Sequence, residues 1–318
     1  MTMTLGVVVP CYNEEDVLPE TVKRLTDLLE HLVKDHRISE SSRIWFIDDG
    51  SIDRTWELIE ECSHQGLPVC GIKLSRNRGH QNALLAGLFN AEGDVLISVD
   101  ADLQDDINVI GVMIDKFLSG VDIVYGVRKD RSSDTVFKRV TAHGFYRVLS
   151  MVGVTTIYNH ADFRLMSRRA IDALRDYREV NLYLRGIVPL IGYRHEVVEY
   201  DRLARFAGES KYPVKKMLSL SINAITSFSV SPLRFISILG FVIFAGSIVV
   251  SSWALCVAMF TDRAVAGWAS TVLPIYFIGG IQLLSLGIIG EYIGKIYMES
   301  KQRPRFFIDQ VVGSTKIE

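Results

Sequence analysis

Cysteine is scarce and scattered: Cys11, Cys62, Cys70 and Cys256 are the only four, with no CxxC pair and no histidine pairing beside them. That spacing supports neither a disulfide framework nor a zinc site, so the thiols read as reduced and mostly buried. A surplus of one charge is also missing. Lys and Arg number 35 against 37 Asp and Glu, and 48% of the residues are hydrophobic. This excludes a disordered tail protein and a binder of nucleic acid built on basic charge. The phosphate-cradling strings GxxxxGK[ST] and GxGxxG do not occur, which argues against a P-loop kinase or a standard NAD enzyme.

The most informative absence is of charge in two long runs. Phe235 to Thr261 and Ala264 to Gly290 contain no charged residue, and each exceeds the roughly 20 residues that cross a bilayer core. Core helices of a soluble protein are usually shorter, so two membrane-spanning helices are expected at about 235–260 and 268–290, in keeping with a mean hydropathy of +0.21. Lys211, Lys215, Lys216 and Arg234 precede the first run, and Lys295, Lys301, Arg303 and Arg305 follow the second. The turn between them carries only Asp262 and Arg263. The excess of basic residues at the outer ends places both termini in the cytoplasm. Leu5 to Val9 is too short for a signal-peptide core and lacks a basic flank. Four regions follow: a cytoplasmic domain over 1–210, a juxtamembrane region over 211–232, a transmembrane hairpin within 233–294, and a cytoplasmic tail over 295–318.

The first region alternates short apolar runs with helical periodicity. Leu5–Val9 suits a strand buried on both faces, and Leu18, Val22, Leu25, Leu29 and Leu32 follow at helical spacing. The alternation repeats through Arg43–Ile47 and Thr55–Ser63, Val69–Leu74 and Gln81–Ala91, and Val95–Val99 and Ile107–Leu118, which predicts a mostly parallel α/β sheet. Further strands are expected at Asp122–Tyr125 and His195–Tyr200, with a helix at Val136–Val152; the stretch from there to Tyr193 shows no clear period. Tyr212–Val230 reads either as an amphipathic helix on the membrane surface or as a linker helix.

Ligands of such sheets gather at the carboxyl ends of the strands. Pro10, Cys11, Tyr12, Asn13, Glu14 and Glu15 follow the first strand, Asp48, Asp49, Gly50 and Ser51 the second, and Asp100, Ala101 and Asp102 the fourth. Clustered carboxylates repel unless a cation or donor groups compensate, and hard oxygen ligands suit Mg²⁺ or Mn²⁺ shared with substrate phosphates. Some of these acids have a plainer reading: Asp48, Ser51 and Asp53 could cap the next helix.

The segments VVVPCYNEE (Val7–Glu15), DDGSIDRT (Asp48–Thr55), LSRNRGHQNAL (Leu74–Leu84), DADLQD (Asp100–Asp105), DFRLMSR (Asp162–Arg168) and RFAGESKYP (Arg205–Pro213) resemble the polyisoprenyl-phosphate glycosyltransferases. These are inverting enzymes of glycosyltransferase family 2, with the GT-A, Rossmann-like fold, and include bactoprenol glucosyltransferases and dolichyl-phosphate mannose synthase. The resemblance covers nearly the whole chain. It implies that Pro10, Tyr12, Glu14 and Asp49 hold base and ribose, that Asp100 and Asp102 form the DxD with Asp102 as principal metal ligand, and that Gln104 lies beside sugar and phosphates. It makes Asp162 the candidate base or nucleophile-orienting acid; a structural partnership with Arg164 is the other reading. Two departures stand out. Asp105-Asp106-Ile107 replaces the Asp-Pro-Pro of many relatives, which bears on a helix start, and the QxxRW of processive relatives is absent, which implies one sugar per turnover.

An acceptor lipid phosphate is already anionic near neutral pH, so it needs positive groups more than a strong base. Arg128, Arg131, Arg205, Ser210 and Lys211 are the candidates to bind it. The expected reaction moves one hexose, with UDP-glucose as the leading donor, to undecaprenyl phosphate. GDP-mannose, UDP-galactose or an amino-arabinose donor, and a non-catalytic nucleotide-sugar sensor, are the alternatives. Resemblance also implies a tetramer, and the Gly290–Gly294 spacing offers a small helix-packing face.

Overall fold

A computed structural model of the chain describes residues 2–129, 160–180, 182–201, 233, 235–243, 245–246, 249, 252 and 268–314. Arg131, Arg205, Ser210, Lys211, the expected helix at Val136–Val152, the juxtamembrane stretch 211–232 and most of the first apolar run lie outside the described residues.

Apolar runs become strands wherever helices can cover both faces. β1 (Leu5–Cys11) is buried along its whole length, and α1 (Leu18–Lys34) turns Leu18, Val22, Leu25, Leu29 and Leu32 onto the core. β2 (Arg43–Asp48), α2 (Thr55–His64), β3 (Val69–Leu74), α3 (His80–Asn90) and β4 (Val95–Ser98) continue the alternation. A short 3-10 turn at Ile107–Val109 then leads into α4 (Ile110–Leu118). Asp106, at the departure from Asp-Pro-Pro, starts that turn by accepting the Asn108 amide at 3.0 Å. The chain goes on through β5 (Ile123–Arg128), β6 (His160–Ser167), α5 (Arg168–Arg175), α6 (Leu184–Leu190), β7 (His195–Tyr200), α7 (Trp268–Ser300) and β8 (Ile308–Val312).

The sheet has eight strands in the order β7-β5-β6-β4-β1-β2-β3-β8. β1 pairs in parallel with both β2 and β4, β2 with β3, and β5 with β7, while β6 and β8 run antiparallel to their neighbours. The succession β1, β2, β3 grows in one direction and β4 then returns to the other side of β1. That reversal opens a crevice at the carboxyl ends of β1 and β4.

Residues 302–314 belong to the α/β unit rather than forming a separate tail. β8 covers the outer edge of β3, and three further contacts secure it: Trp56 Nε1 donates to Gln310 Oε1 at 2.9 Å, Cys70 Sγ to the Gly313 carbonyl at 3.2 Å, and the Ser75 amide to Phe307 at 3.0 Å. An edge strand whose partner lies far away in sequence carries little local signal of its own. In the second unit, Phe277–Ser300 of α7 has a mean hydropathy of 1.4 and is long and apolar enough to cross a membrane, with its most apolar window exposed.

Close packing of α3 on the sheet requires Gly87. A Cβ there would stand 2.3 Å from Val8 Cγ1 and 2.8 Å from Ile47 Cγ1, both on buried strands. Gly87→Ala is therefore expected to destabilise the α/β unit by about 1–3 kcal/mol through overpacking. A thermal unfolding midpoint equal to that of the wild type would contradict this.

Candidate active site

Three loops meet at the crevice, and backbone amides tie them together. After β1, Asn13 takes φ 54°. Its amide donates to Ser51 Oγ at 3.0 Å and its Oδ1 accepts the Ile52 amide at 3.0 Å. Glu14 donates to Thr55 Oγ1 at 2.9 Å. Asp53 receives both the Glu15 amide at 3.2 Å and the Thr55 amide at 3.0 Å, an Asx turn that joins the β1 loop to the start of α2; the N-cap of that helix is Arg54, with no side-chain cap bond, so Asp53 is a turn residue rather than the helix cap. Asp49 is buried, and its two oxygens accept the amides of Arg78 at 2.7 Å and Gly79 at 2.8 Å. Burial raises the Asp49 carboxyl above its ordinary value, against the lowering by those two amides. Gly50, at φ 70°, lets the loop after β3 approach: a Cβ would stand 2.7 Å from Arg76 and Asn77 backbone atoms. Asp49 thus fastens the SRNRG loop to the β2 end, while Tyr12 stays 44% exposed where a planar ligand could stack.

The DxD lies at the β4 end. Thr21 Oγ1 of α1 donates to the Ala101 carbonyl at 3.0 Å, and Asp102 Oδ1 accepts the Gln104 amide at 3.2 Å, closing a turn with Leu103 at φ 56°. Beside β4 in the sheet, its antiparallel partner β6 carries Asp162 and Arg164, two residues apart and so on one face. Arg164 is 1% exposed; its Nη2 donates to Asp162 Oδ1 at 2.7 Å and its Nη1 to the Leu184 carbonyl at 3.3 Å. Arg185 adds a fork, Nε to Oδ1 and Nη2 to Oδ2, both at 3.2 Å. His80 Nε2, at the start of α3, stands 3.5 Å from Asp100 Oδ1 and 3.7 Å from Asp162 Oδ2. The structural partnership of Asp162 with Arg164 is therefore present, and the same carboxylate sits one side chain away from Asp100.

The two acids are driven in opposite directions. Burial alone would raise the Asp162 carboxyl, but Arg185, Arg164 and His80 together hold it well below the usual range. For Asp100, burial raises the carboxyl to about 6; Asp105, Asp162 and Asp102 push the same way and His80 opposes them. Asp100 keeps 32% of its side chain exposed, so a ligand can reach it. Excess negative charge on hard oxygen donors is what a divalent cation offsets, and Asp100 and Asp102 fit one. Among the described residues no group of three or more His, Cys, Asp or Glu could hold a metal ion.

Residues 6–175 match the model of the family described as glycosyl transferase family 2. The chain belongs to that family. It is 53% identical over 307 residues to the uncharacterized glycosyltransferase YkoT of Bacillus subtilis (strain 168), covering 96% of this chain and 91% of that one. It is 38% identical over 307 residues to the bactoprenol glucosyl transferase of Shigella phage SfV, covering 96% and 98%. A prophage bactoprenol glucosyl transferase homolog of Escherichia coli (strain K12) is 37% identical over 313 residues, covering 97% and 99%. The α/β unit of this family 2 glycosyltransferase is its GT-A domain, and the protein is an enzyme of glycosyl transfer.

The crevice also gathers residues that the motifs did not point to, Tyr200 and Arg185. Arg128 of β5 donates from Nη2 to Asp105 Oδ1 at 3.1 Å and from Nε to Tyr200 Oη at 3.2 Å, and Tyr200 Oη itself donates to Asp105. This ties Arg128, expected at the acceptor phosphate, to the end of the DADLQD string. Asp105 was visible in that string, but Tyr200 and Arg185 had no local signal.

A divalent cation held at the DxD would bind with a pH dependence set by Asp100. A proton competes with the cation, so affinity for Mn²⁺ in the presence of UDP is expected to fall below pH about 6, at most about tenfold per pH unit. The sign for stability is opposite in the unloaded protein. Its folded state keeps a proton on Asp100 that the unfolded chain releases above pH about 4, so this group increasingly favours folding as pH drops from about 6 toward 4. Calorimetric titration of Mn²⁺ at pH 5 and 7 checks the first effect; equal affinities would remove Asp100 from the cation site.

Proposed function

We propose that this glycosyltransferase moves a single hexose, glucose from UDP-glucose, onto undecaprenyl or another polyprenyl phosphate, with inversion at the anomeric carbon. The reading rests on one observation above all: the similarity to proteins named bactoprenol glucosyl transferase runs through 96% of this chain, well past the family domain and into the charge-free runs. An enzyme whose acceptor lives in lipid needs such segments. They form a two-helix hairpin in the cytoplasmic membrane with both termini on the cytoplasmic side.

Pro10, Tyr12 and Glu14 on the β1 loop receive base and ribose, and Asp49 holds the loop opposite them in place. Asp100 and Gln104 flank the diphosphate and sugar. A divalent cation, Mg²⁺ or Mn²⁺, held principally by Asp102, supplies neutralisation of the charge that grows on the leaving diphosphate. The acceptor phosphate oxygen attacks the anomeric carbon and the bond to UDP breaks. This oxygen is ionised near neutral pH, so no strong base is required. Asp162, kept ionised by two guanidinium groups, orients the site and stabilises positive charge developing on the sugar ring. Arg128, Arg131, Arg205, Ser210 and Lys211 are the groups assigned to the acceptor phosphate.

The test is transfer of labelled glucose from UDP-glucose to undecaprenyl phosphate by detergent-purified full-length protein with Mn²⁺ or Mg²⁺. Label in the lipid phase that disappears in Asp102→Asn supports donor, acceptor and cation together. Lipid label only with GDP-mannose or another donor would change the sugar and keep the reaction. Failure with every donor while nucleotide still binds would overturn the reading in favour of a sensor.

A further inference from the structure

The Asp162 cluster holds one carboxylate and two guanidinium groups that differ in access. Arg164 is buried, and its contact at 2.7 Å already gives Asp162 a close counter-charge. Arg185 reaches the same carboxylate with 37% of its side chain exposed, and its two bonds to Asp162 are both 3.2 Å. Charge-assisted bonds of this type usually close to about 2.7–2.9 Å, so the Arg185 fork is the looser of the two.

The position of Arg185 is nevertheless well defined. It stands in the first turn of α6, whose first residue is held from both sides: the Leu184 amide donates to Gln81 Oε1 at 3.1 Å, and the Leu184 carbonyl accepts from Arg164 at 3.3 Å. Gln81 follows His80, which lies between Asp162 and Asp100. A partly exposed guanidinium is thereby held on Asp162, which His80 links to Asp100 of the DxD, and the same acid carries a second, buried arginine. This arrangement presents a partly exposed positive charge to an anionic nucleophile.

We propose that Arg185 is a binding residue for the acceptor phosphate, turning one edge of its fork from Asp162 to a phosphate oxygen as the acceptor enters. The proposal rests on the reading of a lipid phosphate acceptor given above. An arginine fork can bridge a carboxylate and a phosphate oxygen at once, which a lysine cannot reproduce. A role only as counter-ion to Asp162 would instead affect folding and turnover without selecting between the substrates.

The experiment compares wild type, Arg185→Gln and Arg185→Lys as full-length detergent-purified proteins. It measures KM for undecaprenyl phosphate at saturating UDP-glucose, kcat, and UDP affinity in the presence of Mn²⁺. Loss of one charge-assisted contact is expected to raise the acceptor KM about 10–100-fold in Arg185→Gln, with UDP affinity unchanged. Arg185→Lys, which keeps the charge and loses the fork, is expected to give a smaller rise. If Arg185→Gln does not fold, the lysine variant carries the test. An unchanged acceptor KM with reduced kcat, or a parallel loss of UDP affinity, would overturn the proposal. Failure of the wild type itself to use any polyprenyl phosphate would instead defeat the reading beneath it, and the proposal with it.

Discussion

An Asp102→Asn protein is expected to lose about 10²–10⁴-fold in the rate of transfer while keeping its fold, because cation stabilisation of a leaving group supplies several kcal/mol and each 1.36 kcal/mol is about tenfold. The fold survives because asparagine keeps Oδ1, the acceptor of the Gln104 amide at 3.2 Å, and with it the turn that sets Leu103 at φ 56°. What disappears is the negative charge. Asp100→Asn separates the two acids of the DxD. It is also expected to lower transfer, yet to raise the unfolding midpoint of the unloaded protein at pH 7–8, since burial and three neighbouring acids disfavour the Asp100 carboxylate. Transfer kinetics and thermal unfolding at both pH values decide the matter. An Asp102→Asn protein retaining more than about a tenth of the wild-type rate would place the cation elsewhere, since one lost decade is less than cation catalysis provides.

The parts of this enzyme that were legible in the sequence are those where local pattern and tertiary role coincide. β1 to β4 are buried on both faces, so their runs are continuously apolar, and the acids at their ends stand at the crevice where the strand order reverses. The Asp100-Ala101-Asp102 string could be placed because a strand end and a turn bound it on either side. β6 was not readable: Asp162 and Arg164 break its apolar run, and their mutual pairing, with Arg185 on the same carboxylate and the Leu184 carbonyl on Arg164, makes two buried charges tolerable. The two-residue spacing that puts them on one face of a strand was the available clue. β8 was hidden for another reason. IDQVV follows a charge-free run and a basic cluster, and its partner β3 lies more than two hundred residues earlier, so the stretch resembles an ordinary tail until the edge it covers is known. Arg185 sits in a segment without helical or strand period, and its placement depends on Gln81 and Arg164 from two other elements.

Replacing Arg164 by methionine is expected to destabilise the α/β unit by about 3–5 kcal/mol, the usual cost of breaking a buried pair by removing one partner. Asp162→Asn is expected to cost a similar amount, because it leaves the buried Arg164 guanidinium without its carboxylate. The double variant should cost less than the sum of the two, since each single change already removes the same interaction and the second also removes the orphaned charge. The pH dependence has a definite sign. Asp162 is held below its unfolded value, so the pair contributes fully above pH about 4 and its contribution is lost as pH falls below that, opposite in direction to Asp100. At about 2–4 °C per kcal/mol for a unit of this size, the single variants should differ from wild type by many degrees at pH 7 and converge toward it in acid. Additive losses in the double variant would mean that Asp162 and Arg164 act on separate surroundings. Asp162 would then be held ionised mainly by Arg185, and the fork assigned to the acceptor could not leave without making that acid a base.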